Sequence, residues 1–176
     1  MKVALVRCGE TEENYLGKIV GRENVLLNDT GRRQVLKLKN KILLKKYDVC
    51  FISPQIRCFE TAIALVGDRV EIIRDNDLIE RDMGDLEGKE IVNYNAFNYW
   101  NYTKNISKEH VEPLKNLIDR TSNFLENIKE KNYNSVIIVV DVEVYRALRH
   151  LLLKGTLKGN MLDGYINNCS YEEFNI

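Results

Sequence analysis

Proline is nearly missing from this chain, present only at positions 54 and 113, and Pro/Gly-rich linkers and low-complexity tracts are missing with it. That continuity predicts a single domain over residues 1–176 and argues against a string of modules. Long apolar runs are also absent. None approaches the ~18–20 residues that a bilayer-spanning helix needs, so no membrane partner is expected. Charge of one sign is lacking too: Lys plus Arg and Asp plus Glu each number 26, and no global field recruits nucleic acid. The four cysteines, Cys8, Cys50, Cys58 and Cys169, show neither paired nor metal-ligand spacing. They read as reduced thiols of a cytoplasmic protein, with no metal and no cofactor implied. The first residues enter a strand pattern at once, which leaves no room for a signal peptide.

What the chain does have is alternation. Val3–Val6 and Val49–Ile52 are short β-branched runs, and Val136–Val140 is apolar at every position. Runs of this kind suit a parallel sheet covered on both faces. Val70–Ile73 is a further strand. Between the first two runs, Val35, Leu38, Ile42 and Leu43 fall at helical spacing within Thr30–Lys46, with Thr30 as N-cap. Ser53-Pro54 opens a second helix to about Leu65. A third, Asn116–Glu130, turns Leu117, Phe124, Leu125 and Ile128 inward, and a fourth carries Val144, Leu148, Leu151 and Leu152 as its buried stripe. The fold class expected is α/β: a single-domain, three-layer sandwich with a mostly parallel open sheet flanked by helices. Residues 93–110, rich in Tyr, Asn and Phe and holding the sole tryptophan, Trp100, have weaker periodicity. They read as a core-covering helix, with a flap over the site as the other reading.

In open α/β sheets, ligands bind at the carboxyl ends of the strands. Arg7-Cys8-Gly9, Ser53 with Arg57, and Asp141 stand at those ends, so three distant segments converge on one crevice. Two arginines beside helix N-termini make an oxyanion cradle, because guanidinium forks match phosphate oxygens and the helix ends add amide donors.

The octet Arg7-Cys8-Gly9-Glu10-Thr11-Glu12-Glu13-Asn14 resembles the Arg-His-Gly-Glu-Thr opening of the histidine phosphatase superfamily, the phosphoglycerate-mutase-like proteins. Further blocks are similar to that family and follow its order. They are Leu27-Asn28 with Thr30-Gly31 and Gln34; Ser53-Pro54 with Arg57; Leu78-Ile79-Glu80 with Gly84; Val136–Val144 with Tyr145-Arg146-Ala147-Leu148; and Asn168-Cys169-Ser170 as the closing strand. The resemblance implies that Arg7 and Arg57 bind phosphate, that Asn14 adds a lesser contact, and that Glu80 donates a proton to the leaving oxygen. It implies a small phosphorylated ligand, or a phosphate or sulfate anion, as partner. Oligomeric state stays open, a homodimer included. The chain lacks the insertions of a cofactor-dependent mutase, so the ancestral activity reads as phosphatase.

Two positions depart from the pattern. Cys8 stands where the family has its nucleophilic histidine, and Asp141 where it has a second histidine that donates to the phosphoryl oxygens. Val142-Glu143 replaces small glycines. An ionised Asp141 facing a phosphate charge at 4 Å costs about 4 kcal/mol at an effective dielectric of about 20. The two remaining histidines, His110 and His150, lie in no matching motif. Three readings follow. The chain is a silent family member that binds or regulates. Or it is a phosphomonoesterase in which Cys8 is the nucleophile, its thiolate stabilised by two arginines and a helix N-terminus, with Glu80 or Asp141 as acid/base. Or Cys8, Asp141 and Glu80 hold a metal, which mixed ligation without histidine disfavours.

Overall fold

The computed structural model describes residues 1–176. Five strands form one sheet: β1 (Lys2–Arg7), β2 (Val49–Ile52), β3 (Glu71–Arg74), β4 (Ser135–Val140) and β5 (Tyr171–Asn175). Their spatial order is β3-β2-β4-β1-β5. The first four are parallel and β5 runs antiparallel along β1. Six α-helices accompany them: α1 (Glu12–Tyr15), α2 (Asp29–Ile42), α3 (Ile56–Val66), α4 (Ala96–Tyr99), α5 (Leu114–Lys129) and α6 (Val142–Leu152). No helix is long and apolar enough to cross a membrane.

The period of two along β1 and β4 explains the layers. Val3, Leu5, Val136 and Ile138 pack toward α5 and α6, with Leu117, Phe124 and Trp100. Ala4, Val6, Ile137 and Val139 pack toward α2 and α3, with Leu38 and Leu65. Cys8 continues the second series and is buried with it. The α/β architecture expected from the sequence is the one observed.

Three local expectations are corrected. Helix α2 is capped by Asn28, whose side chain accepts from the Gly31 amide at 2.7 Å, and not by Thr30. It ends at Ile42, short of Lys46, where Leu43 and Leu44 stand exposed and offer no inward stripe. The closing strand is Tyr171–Asn175; Asn168-Cys169-Ser170 is the turn before it, with Cys169 at a φ of 56°. Gly31 is a packing requirement, because a Cβ there would collide with the Glu10 backbone where the loop after β1 crosses α2. In the aromatic segment, Tyr99 and Trp100 are buried, so it covers the core.

Candidate functional site

The carboxyl ends of β1, β2 and β4 lie side by side, with Arg7 opposite Val140 and Ile52 opposite Val139. At that edge opens a cavity of about 440 Å³, lined by Arg7, Asn14, Glu80, Asp141, Glu143 and Arg146 together with apolar side chains. The crevice expected from the strand ends is therefore present. Arg57 and Cys8, expected at this site, lie behind its lining.

Asp141 is the centre of the arrangement. As N-cap of α6 its Oδ1 accepts from the Val142 amide at 2.7 Å, and its Oδ2 accepts from Arg57 Nε at 2.6 Å. Arg7 Nε stands 3.5 Å from Oδ1. Burial would raise the Asp141 carboxyl, but Arg57 and Arg7 hold it below the usual carboxylate range, so it is ionised. The Arg57 guanidinium completes its bonding on the Glu23 and Gly21 carbonyls, each at 2.7 Å. It is fully buried and does not line the cavity. Arg57, expected to bind phosphate, thus has its Nε held by the chain's own carboxylate.

Glu80 stands at the same helix end. Its Oε2 accepts from the Glu143 amide at 3.0 Å, and its Oε1 from the Val144 and Arg81 amides at 3.2 and 2.6 Å. Burial, then the Asp141 and Glu143 carboxylates, push its pKa up to about 8, against the pull of the Arg81 amide and Arg57. The Asp141 carboxylate and the Glu80 carboxyl therefore take the first-turn amides of α6, where an incoming oxyanion would bind.

Cys8 also departs from the expectation. Its thiol is buried behind the cavity wall and hydrogen-bonds toward Cys58. That bond, the burial and the nearby Asp141 charge raise its pKa well above the ordinary thiol value, with Arg57 only a partial offset. The thiolate expected from the sequence is thus disfavoured, because the alternation of β1 turns the side chain into the apolar layer beside Cys58. Asn14 does line the cavity, but its Oδ1 is engaged by the Thr11 amide and Asn168 Nδ2 at 3.3 and 3.1 Å. No group of three or more His, Cys, Asp or Glu side chains is arranged to hold a metal ion. His110 is exposed beside Asp85 and His150 meets the Thr156 carbonyl, both outside the cavity lining.

Sequence reasoning missed an ionic hub two residues beyond Asp141. Glu143 Oε2 accepts from Tyr94 Oη at 2.8 Å, Trp100 Nε1 at 2.9 Å and Arg81 Nη1 at 3.2 Å. Arg81, fully buried, also holds the Tyr99 and Glu112 carbonyls. The aromatic segment is so fastened to the N-terminus of α6. The available signal was Glu143 itself, a carboxylate within a helix whose neighbours Val144 and Ala147 face the core. Arg146, one turn further on, also lines the cavity and was read only as part of a motif.

A family model described as the histidine phosphatase superfamily (branch 1) matches residues 3–176. Phosphoglycerate mutase-like protein 4 of Arabidopsis thaliana is 32% identical over 149 residues, 79% of this chain and 65% of that one. The chain thus spans just under two thirds of that relative. Phosphoserine phosphatase 1 of Hydrogenobacter thermophilus is 25% identical over 178 residues, covering 97% of this chain and 84% of the other. Among solved structures, Bacillus stearothermophilus YhfR superposes with a TM-score of 0.86 at 21% identity, covering 99% and 91% of the two chains. The phosphoserine phosphatase of Entamoeba histolytica in complex with 3-phosphoglyceric acid does so with 0.79 at 23%, covering 99% and 90%.

Proposed function

The chain belongs to the histidine phosphatase superfamily, and we propose that within it this protein binds a small ligand without phosphohistidine catalysis, as a binding or regulatory module. On this reading Cys8 and Asp141 occupy the positions of the family's two catalytic histidines. The observation that carries it is the Asp141 carboxylate seated in the arginine cradle, 2.6 Å from Arg57 Nε and 3.5 Å from Arg7 Nε. An ionised carboxylate there takes the place that a phosphoryl group would need and repels one that approaches. A transferring nucleophile must reach its substrate, and the buried, protonated Cys8 thiol does not. Glu80 remains the best-placed proton donor, but it has no phosphoryl acceptor to work with.

Several relatives carry phosphatase names, so the test is hydrolysis. p-Nitrophenyl phosphate and phosphoserine are offered to the wild-type protein and to Cys8→Ser across a pH series. The expected result is no turnover above buffer for either protein. Turnover that disappears with Cys8→Ser refutes the proposal and establishes a thiol-based phosphomonoesterase. Turnover indifferent to Cys8→Ser refutes it as well and shifts the nucleophile to another group.

A further inference from the structure

We propose that the cavity binds a small organic monocarboxylate, held by Arg146 and Arg7 and not by the Arg57 cradle. This rests on the reading above that Asp141 closes the cradle. The leading observation is Arg146. Its side chain is only 8% exposed, it lines the cavity, and its Nε has no hydrogen-bond partner. Its bonds to the chain go through Nη1 alone, to the Asp163 carboxylate at 2.8 Å, the Gly164 carbonyl at 3.1 Å and the Asp163 carbonyl. Buried polar atoms are nearly always partnered, so a guanidinium that lines a cavity with both Nε and Nη2 unbonded has room for a further acceptor beside its Asp163 partner. Nε is sealed from the cavity, and the nitrogen left open is Nη2, which makes no bond within the chain and can donate to a carboxylate oxygen.

Arg7 repeats the arrangement. Its Nη1 donates to the Ile166 carbonyl at 2.5 Å, and its Nε is ion-paired with Asp141 at 3.5 Å without a hydrogen bond, leaving Nη2 free of bonds within the chain. Both arginines therefore hold the same short loop, residues 163–166, by one nitrogen each. The carboxylates that face the cavity are already engaged: Asp141 by Arg57 and Val142, Glu80 by three amides, Glu143 by Arg81, Tyr94 and Trp100, and Glu10 by Asn28 at 2.9 Å. The cavity thus offers donors and calls for an acceptor. One negative charge suits it better than two, because ionised Asp141 beside Arg7 repels the second charge of a phosphomonoester. Ile19, Met83, Ile91 and Tyr165 give the ligand body an apolar wall, and the volume accommodates a ring or short chain.

The sole tryptophan reports on this site, since the Arg146 guanidinium lies 5.3 Å from the Trp100 ring centroid. The purified chain is titrated with phenylacetate, phenyl phosphate and inorganic phosphate, following Trp100 emission and, in parallel, heat by calorimetry. Phenylacetate should bind saturably, with phenyl phosphate and phosphate weaker by about tenfold or more. Arg146→Lys, which keeps the charge but has one nitrogen for both the 163–164 loop and the ligand, should weaken phenylacetate by about tenfold. The proposal is overturned if neither readout shows phenylacetate binding up to about millimolar concentration. It is equally overturned if phenyl phosphate binds as tightly as phenylacetate, or if a folded Arg146→Lys binds phenylacetate unchanged. Should Arg146→Lys lose its fold by circular dichroism, the ligand order on the wild-type protein decides. Phosphate released from phenyl phosphate in the same samples tests the silent reading separately. Turnover would end that reading, and the ligand order alone judges the carboxylate site.

Discussion

Replacing Asp141 with alanine strips the arginine cradle of its internal anion, and the structure sets the scale of the effect. Arg57 is fully buried and would lose the partner of its Nε, keeping only two carbonyls that cannot neutralise it. Breaking a buried pair from one side costs about 3–5 kcal/mol. The lost N-cap on Val142 belongs to the same carboxylate and adds about 0.5–2 kcal/mol. Taking about 4 kcal/mol, and about 2–4 °C per kcal/mol for a chain of this size, the thermal midpoint should fall by about 8–16 °C. The informative half of the experiment is rescue. With Asp141 gone, inorganic phosphate can pair with Arg57 and Arg7, and at 100 times its Kd it would restore about 2.7 kcal/mol. The wild-type cradle is full, so phosphate should give it no more stability than chloride at equal ionic strength. Thermal unfolding of wild type, Asp141→Ala and Asp141→Asn with and without phosphate measures this. A wild-type protein that gains as much from phosphate as Asp141→Ala would refute the idea of a self-occupied site. So would an Asp141→Ala variant within about 1 kcal/mol of wild type, the ordinary effect of a substitution.

Three further outcomes follow from the same network. Native Cys8 should resist iodoacetamide at neutral pH and label only in denaturant, because burial and the Cys58 bond hold it as a thiol; peptide mass spectrometry reads the ratio, and rapid native labelling would contradict the placement. Glu143→Ala should cost about 3–5 kcal/mol in urea unfolding, since it leaves buried Arg81 without its carboxylate. The emission of Trp100 should shift to the red as its Nε1 bond is lost; an unshifted spectrum would deny Glu143 its fastening role. Glu80 should make stability fall with rising pH. Its folded pKa of about 8 lies above the ordinary 4.5, so the folded state holds a proton that the unfolded state releases across that window. The contribution is complete below about 4.5 and lost by about 8, and Glu80→Gln should flatten this part of the stability curve; an unchanged slope would refute the assignment.

The fold was legible because its signals are local and repeated. Val136–Val140 could only be a strand buried on both faces, and the helices between strands announced themselves by apolar spacing. The crevice was legible for the same reason, since strand ends in such a sheet converge wherever the alternation is right. Individual side-chain directions were harder. Arg7 and Cys8 are neighbours in sequence, yet the period of two sends Arg7 to the cavity and Cys8 into the apolar layer with Ala4 and Val6. That rule was available and was overridden by the motif, which invites one to place every residue of the octet at the ligand. Asn28 in place of Thr30 as the α2 cap is a difference of two residues, within the reach of competing Asx and Thr caps. The Glu143 hub was out of reach, because Arg81, Tyr94 and Trp100 are brought to it by a segment whose own periodicity is weak.

The carboxylates at the start of α6 form one coupled device. An aspartate at position 141 could have been a simple defect, an unpaired charge in a phosphate site, and such a charge would destabilise the fold by itself. Here it is matched. Arg57 turns its Nε onto Asp141 and gives its remaining bonds to the 21–23 backbone, so the cradle is complete without a ligand. Glu80 then takes the amides that a phosphoryl oxygen would use, and its raised pKa is the consequence of sharing that helix end with Asp141 and Glu143. Glu143 balances Arg81 and ties down the aromatic cover. Each charge is compensated by another residue of the chain, Arg7 by Asp141 and Arg146 by Asp163, while the Nε of both arginines makes no hydrogen bond. On the proposed reading, the ligand-binding capacity of the site moves outward along α6, away from the cradle and toward the cavity wall that those two arginines share.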